Sequence, residues 1–309
     1  MLNIDEIKSL SKRLYTKKQI QSSIPYIKDI CVDLQQQKYA IIKGIPLSVF
    51  CYHAVDIRPY HDIDILISKK SINNIEPILL SNGFANTAHS RINRITMLTS
   101  SHQVEPWVKD ISPWEQVVVD INFDIFWGEY EGERINIDEF LSDTIEMEIY
   151  GVRVKSLPPI KAMIQLILHH YKDMNSIYLL ATRKSITYNM FKDVYYLLKN
   201  NLDTITLDKL YATSAEYKII PYVFYVLYYT GQVFADDVLR QYIKAFRTPE
   251  GEALLNCYGL CEKERKEWKC DFKTRLESDD LYSLIRDDLN EHDLRKIAFN
   301  KRIFMGVTE

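Results

Sequence analysis

The sequence predicts an α+β protein in which strands and helices share the first half of the chain and helices fill the second. Three observations predict it. Residues 62–67 (DIDILI) and 117–124 (VVVDINFD) alternate with the period of two that belongs to strands. Around them run apolar stripes at helical spacing. After Pro158-Pro159, which punctuates the chain, the pattern is helical. The boundary is placed there, giving domains over residues 1–157 and 158–309.

Taken in order, Ile20, Ile24, Ile27, Cys31 and Leu34 form one apolar stripe, so residues 22–37 are expected to be helical, starting at Ser23 before Pro25. Residues 39–42 read as a short apolar strand stopped by Lys43-Gly44. Pro46 opens an amphipathic helix over 46–55, a position proline favours. A polar loop carrying Arg58 and His61 leads into the strand 62–67. Ser71 can cap a helix bearing Ile72, Ile75 and Leu79, closed by Asn82-Gly83. Residues 94–99 are expected to be a strand, and residues 101–116 a long polar and aromatic connection. The strand 117–124 follows, then a final strand over 146–154.

In the second domain Ile160, Met163, Ile164, Ile167, Leu168 and Tyr171 share one helix face, with His169 and His170 near the end of that helix. Residues 187–199 form a further helix carrying Lys192-Asp193, where Asp193 is expected to brace a neighbouring helix. Residues 219–229 read as a buried helix. The charged runs CEKERKEWK and IRDDLNEHDLRK are expected to be solvated helix faces, and the 21 tyrosines to fill the core with their hydroxyls reaching the surface.

Composition narrows the function classes. The net charge is −3 and no dense Lys/Arg block stands out, which argues against a grip on long nucleic acid. The first residues lack the apolar core of a signal peptide, and the apolar run at 219–229 is far shorter than the roughly 20 residues that span a bilayer. The five cysteines have no framework spacing; Cys257 and Cys261 lack the further ligands of a zinc set. Reduced thiols, no membrane and a cytoplasmic place of work are therefore expected.

Chemistry concentrates on the two alternating strands. Asp62 and Asp64 share one side of theirs, while Ile63, Ile65 and Ile67 share the other. Adjacent carboxylates repel unless a cation sits between them, and magnesium, which takes carboxylates together with phosphate oxygens, suits the position. Asp120 and Asn122 share a face opposite Val119, Ile121 and Phe123. A carboxylate in such company needs a metal, an arginine or a helix N-terminus. Lys43 and Arg58 can pair with phosphate or instead form a salt bridge that holds the acidic loop. For His169 and His170 the alternative to a ligand is a helix-end carbonyl. Asp124 and Glu105 are the fallback carboxylates should Asp120 be structural.

The ordered set Lys43-Gly44, Arg58, Asp62-Ile63-Asp64-Ile65-Leu66 and a later acidic strand resembles a nucleotidyltransferase family of the DNA polymerase β-like superfamily. Members read Lys-Gly, then Arg, then Asp-Ile-Asp-Leu-Leu. The resemblance covers about residues 39–200. It implies the nucleotidyltransferase fold, a mixed sheet flanked by helices, with a mainly helical acceptor-binding domain after it. It also implies Asp62, Asp64 and Asp120 as catalytic carboxylates around two Mg2+ ions, and Lys43, Gly44, Arg58, His169 and Lys192 at the nucleotide. His170, Arg183 and Lys184 become candidate contacts to phosphate or acceptor. Where relatives usually read Asp-Leu-His-Trp this chain reads Asp-Ile-Asn-Phe, so Asn122 stands in place of the histidine.

The activity so implied is transfer of a nucleoside monophosphate from an NTP, expected to be ATP, to a hydroxyl or phosphate of a small molecule or peptide. Two other classes stay open: a toxin-like enzyme modifying tRNA, which a basic acceptor groove would support, and a catalytically silent nucleotide-binding module.

Overall fold

The computed structural model describes residues 4–305 apart from His89, Trp114, Arg183 and Lys184. The chain forms two compact units. The first comprises residues 1–98, 102–124 and 135–162; the second comprises 99–101, 125–134 and 163–309.

The first unit opens with α1 (Ile4–Asp33) and continues through β1 (Tyr39–Ile42), α2 (Gly44–Tyr52), β2 (Ile63–Ile67), α3 (Ile72–Ser81), β3 (Ala85–Asn86), α4 (Arg91–Ser100), β4 (Trp107–Ser112) and β5 (Glu115–Asn122). The short α5 (Ile137–Phe140), then β6 (Ile145–Ile149) and β7 (Val152–Ser156), complete it, with α6 (Pro159–Asn175) following. The strands make one mixed sheet of order β3-β4-β5-β2-β1-β7-β6. β1 runs antiparallel to β2 and parallel to β7, and β2 runs parallel to β5. One sheet face, carrying Tyr39, Ile41, Ile63, Ile65, Ile67, Val119 and Ile121, forms a core with Ile20, Ile27 and Ile30 of α1 and Ile72, Ile75 and Leu79 of α3. Because side chains alternate, the aspartates fall on the opposite face.

Several elements depart from the sequence reading. α1 extends far upstream of residue 22, holds Pro25 within it and ends at Asp33. A proline removes one ladder bond, but Ile20, Ile27 and Cys31 on both sides of it are buried, and that burial carries the helix through. Residues 94–99 lie in a helix, not a strand. Arg94 is held there between Glu76 and Glu105, Met97 is buried, and the β-branched Ile92 and Ile95 point outward, 74% and 52% exposed. Strand propensity reflects packing on a sheet, and here no sheet position receives these side chains. The polar connection contains β4, paired antiparallel with β5 through Trp107↔Val119 and Val108↔Val118. The single strand expected at 146–154 is a hairpin, β6 and β7, turning at Tyr150 (φ 47°) and Gly151 (φ 78°). Two consecutive positive φ values are the mark of a tight turn matched to strand twist.

α3 ends as expected. Gly83 at φ 78° lets the Gly83 and Phe84 amides donate back to the Leu80 and Leu79 carbonyls.

The second unit holds α7 (Ile177–Ala181), α8 (Tyr188–Lys199), α9 (Leu207–Glu216), α10 (Ile220–Val233), α11 (Asp237–Phe246) and α12 (Pro249–Leu254). A two-stranded ribbon, β8 (Cys257–Tyr258) with β9 (Lys266–Glu267), precedes α13 (Phe272–Glu277), α14 (Leu281–Ile285) and α15 (Glu291–Met305). α10 is its axis, buried through Val223, Phe224, Tyr225, Val226, Leu227 and Tyr229 and packed against α8, α9, α11 and α12. The run CEKERKEWK is not a solvated helix. It forms a single 3-10 turn and β9, and Glu264 within it is buried and bonded to Lys296. In IRDDLNEHDLRK, Asp293 is 1% exposed, pairs with Lys266 at 2.7 Å and caps the start of α15 with Asn290. Glu264 and Asp293 are buried and therefore paired, because an isolated buried charge would be too costly. Arg286, Asp287, Glu291 and Arg295 of the second run are exposed as expected. All five cysteines are free thiols. Among the described residues no helix is long and apolar enough to cross a membrane.

Candidate active site: a carboxylate cluster on the face of the sheet opposite α1 and α3

Sheet register gathers the aspartates. Asp64 of β2 lies opposite Asp120 of β5 on one flank and Ile42 of β1 on the other. Cross-strand partners project to the same side of a sheet, so Asp64 and Asp120 are side by side. Asp62 precedes β2 by one residue, near enough to Asp64 and Asp120 for the three charges to act on one another. Asn122, two residues beyond Asp120, shares its side, and the Asn122 Nδ2 donates to Asp64 Oδ1 at 3.0 Å and to the Asp120 carbonyl at 3.3 Å. Asn122 therefore holds Asp64 in place. The sequence signal for this was its position in the Asp120 alternation.

Lys43 follows directly on β1. Since Ile42 pairs with Asp64, the antiparallel register brings Lys43 to the carboxylate end of β2. Its Nζ donates to Asp64 Oδ1 at 2.9 Å, with the two side chains 14% and 5% exposed. The ion pair that the sequence left as an alternative to phosphate binding is thus formed, and it is formed with Asp64 itself. The Lys43 backbone sits at φ 54°, ψ −137°. That region belongs to glycine; a side chain held there costs of order 1–3 kcal/mol.

Gly44 (φ 29°) begins α2, two residues before Pro46, where the sequence reading started the helix. A Cβ at Gly44 would lie 3.6 Å from Tyr60 Cγ and 3.8 Å from the Asp62 carbonyl oxygen. Both are ordinary contacts, so glycine answers here to the positive φ of the turn and not to a lack of space. The loop between α2 and β2 is pinned by buried Ser48, whose Oγ donates to the Ala54 carbonyl at 2.7 Å and accepts from the Arg58 amide at 3.3 Å. Arg58 is fixed near the carboxylates closely enough for its charge to act on Asp62.

Electrostatics mark the cluster as short of positive charge. Burial, then the Asp64 and Asp62 charges, push the Asp120 carboxyl up to about 7, against the pull of Lys43. Burial and the Asp64 charge push Asp62 up as well, opposed by Lys43 and Arg58. Asp120 Oδ1 is buried without a hydrogen-bond partner. An orphaned carboxylate oxygen beside two further carboxylates fits a divalent cation, which would supply the missing charge. As the side chains stand, no group of three or more His, Cys, Asp and Glu among the described residues is drawn close enough to hold an ion. Asp64 Oδ1 is already engaged by Lys43 and Asn122.

The remaining candidates lie elsewhere. Glu105 is buried and bound to Arg94 at 3.1 Å, which commits it to that pair. His169 and Lys192 belong to the second unit. His169 Nε2 stands 3.4 Å from Asp173 Oδ2, and Lys192 Nζ lies 6.0 Å over the Tyr196 ring. His170 and Asp193 are buried on the same two helices. Arg183 and Lys184 fall outside the described residues.

Comparison with known proteins supplies a family. The model of a family described as "Uncharacterised nucleotidyltransferase" matches residues 15–235, more than half of the chain. Among solved structures, an antigenic nucleotidyltransferase-like protein from Paracoccidioides brasiliensis is similar at 14% identity and a TM-score of 0.40, over 74% of this chain and 92% of that one. No curated protein matches the chain.

Proposed function

Because this chain belongs to the uncharacterised nucleotidyltransferase family matched over residues 15–235, we propose that it moves a nucleoside monophosphate from an NTP, in the first instance ATP, onto a hydroxyl or phosphate of a small molecule or peptide. The observation that carries the reading is the Asp64↔Asp120 register, which sets two carboxylates side by side with Asp62 and leaves Asp120 Oδ1 unpartnered.

Asp62, Asp64 and Asp120 would hold two Mg2+ ions. When bound, these would neutralise the triphosphate and acidify the acceptor hydroxyl. Asp120, held near neutrality by its surroundings, regains its full charge beside a cation. Asn122 keeps Asp64 oriented for that role. The first amides of a helix have no partner within it, and in α2 those of Gly44 and Ile45 would turn to phosphate oxygens, Pro46 having no amide to offer. Arg58 and Lys43 add positive charge at the same end. In the transfer, the acceptor oxygen bonds to the α-phosphorus and pyrophosphate leaves. His169 and Lys192 are proposed as contacts to the nucleotide from the helical second domain, taken as residues 158–309, which would carry the acceptor. Free thiols and a nucleoside triphosphate substrate fit the cytoplasm.

The test is incubation with each labelled NTP, magnesium and cell extract. Label is expected in the small-molecule or protein fraction. Label in tRNA would replace this acceptor with a toxin-like one, and no transfer with intact nucleotide binding would make the protein a silent binding module. Calorimetry with a non-hydrolysable ATP analogue is expected to show magnesium-dependent binding that Asp62→Asn/Asp64→Asn abolishes.

A further inference from the structure

We propose that Lys43 is a built-in counter-ion for Asp64 that a divalent cation has to displace, so that the triphosphate, by taking up the lysine, raises the affinity of the site for metal. The proposal rests on the function just proposed and deepens it.

Three observations meet at this residue. First, the ammonium is bonded to Asp64 Oδ1 in a nearly closed environment, and Asn122 donates to the same oxygen. That oxygen is filled by two donors, one of them a full positive charge, before any metal arrives. Secondly, Lys43 sits in a glycine-type backbone conformation (φ 54°, ψ −137°) immediately before a true glycine. Glycine would take that position without strain, so the strain is carried for the sake of the side chain. Thirdly, Lys43 stands at the N-terminal end of α2, a helix of nine residues whose first amides suit phosphate. A four-carbon stem anchored there can turn from the carboxylate to a phosphate oxygen without any backbone change.

The consequence follows from charge. An ammonium and a divalent cation on one carboxylate repel each other, so metal without nucleotide meets a site partly neutralised by the protein itself. A triphosphate offers Lys43 a different anion and frees Asp64 Oδ1 for the metal. Coupling of this kind is reciprocal: the metal strengthens triphosphate binding by the factor with which the triphosphate strengthens metal binding. Nucleotide and metal then enter together, and free cations alone leave the site in its lysine-bound form.

Mn2+ is the probe, its free fraction read by electron paramagnetic resonance in titrations of the full chain with and without a non-hydrolysable ATP analogue. Lys43→Met and Lys43→Gly both remove the ammonium, and the glycine variant also relieves the backbone, which secures a folded protein should the methionine variant fail a thermal melt. Both variants are expected to bind Mn2+ alone at least about tenfold more tightly than the unaltered protein, and to lose most of the tightening the analogue brings. Unchanged or weaker Mn2+ binding in the variants, with the analogue effect preserved, would overturn the proposal and leave the nucleotidyltransferase reading standing. No Mn2+ binding by any of the three proteins, with or without analogue, would overturn that reading and this proposal together.

Discussion

Asp120 is the residue on which an enzyme and a structural tie make opposite forecasts. Its carboxyl rises from 3.8 to about 7 in the fold, so between those values the folded state binds more protons than the unfolded chain. Stability from this group is therefore present at low pH and lost as pH rises toward about 7. In protein stripped of metal by a chelator, Asp120→Asn should melt near the unaltered protein at pH 4 and above it at pH 8, the gap widening as pH rises toward about 7. A variant less stable at both values would make Asp120 a structural tie. In the labelled transfer assay the same variant should be slower by about 10²-fold or more, the scale lost with one electrostatic catalytic group. Reading this residue from sequence gave its face and its discomfort. Burial is the largest cause of that discomfort. The charges that add to it, Asp64 on β2 and Asp62 just before that strand, come from a distant part of the chain that only the structure places near it.

Among the elements, α4 and the hairpin of β6 and β7 show how tertiary context overrides local pattern. Arg94 of α4 serves Glu76 and Glu105, and the Glu105 side chain is 7% exposed. Arg94→Met strands that carboxylate, and the expected loss is about 3 kcal/mol or more in urea unfolding. Adding Glu105→Leu should restore much of it, because an apolar pair needs no counter-charge. A double variant as unstable as the single one would show that Arg94 acts through packing alone. In the hairpin, Gly151 has φ 78° and nothing within 4 Å of where a Cβ would be placed. Gly151→Ala should therefore cost about 1 kcal/mol through the backbone only, leaving Mg2+-nucleotide binding as it was. The Tyr150-Gly151 pair was the available turn signal within an otherwise continuous alternation, and a reading by period alone passes over it.

At the scale of the whole molecule, charge is the property that discriminates between acceptors. The chain carries 39 Lys and Arg against 42 Asp and Glu, and several of the basic residues, Lys43, Lys161, Lys266 and Lys296 among them, are committed to carboxylates. Gripping a polynucleotide requires many uncommitted cations, each adding about 0.9 to the slope of log affinity against log salt. Binding to bulk tRNA is expected to be weak at physiological salt, with a slope no larger than one or two contacts would give. Fluorescence titration at two salt concentrations measures it; tight binding with a steep slope would move the acceptor to RNA. Each of the two units has its own buried core, the first on the α1 side of the sheet and the second around α10. The second core is heavily aromatic, with Tyr171, Tyr225 and Tyr229 in successive ring contact, but their hydroxyls do not reach the surface as expected. All three residues are buried, and Tyr225 and Tyr229 donate to Asn175 Oδ1 and the Leu255 carbonyl inside the core.

By itself the sequence determined what a short stretch of backbone can settle. The period of two placed Asp120 with Asn122, apolar stripes and end signals located α3, α6, α8 and α10, and the ordered motif pointed to the family. Those are properties of neighbouring residues, and at these elements the rest of the chain left them in force. The tertiary structure alone decided which strands pair and with what register, hence that Asp64 faces Asp120 and that Lys43 and Asn122 both hold Asp64 Oδ1, the latter across 58 positions. It also decided that residues 107–112 are a strand and 94–99 a helix. Pairing partners and counter-ions are chosen by burial and charge among residues far apart in the chain, and no local period records that choice.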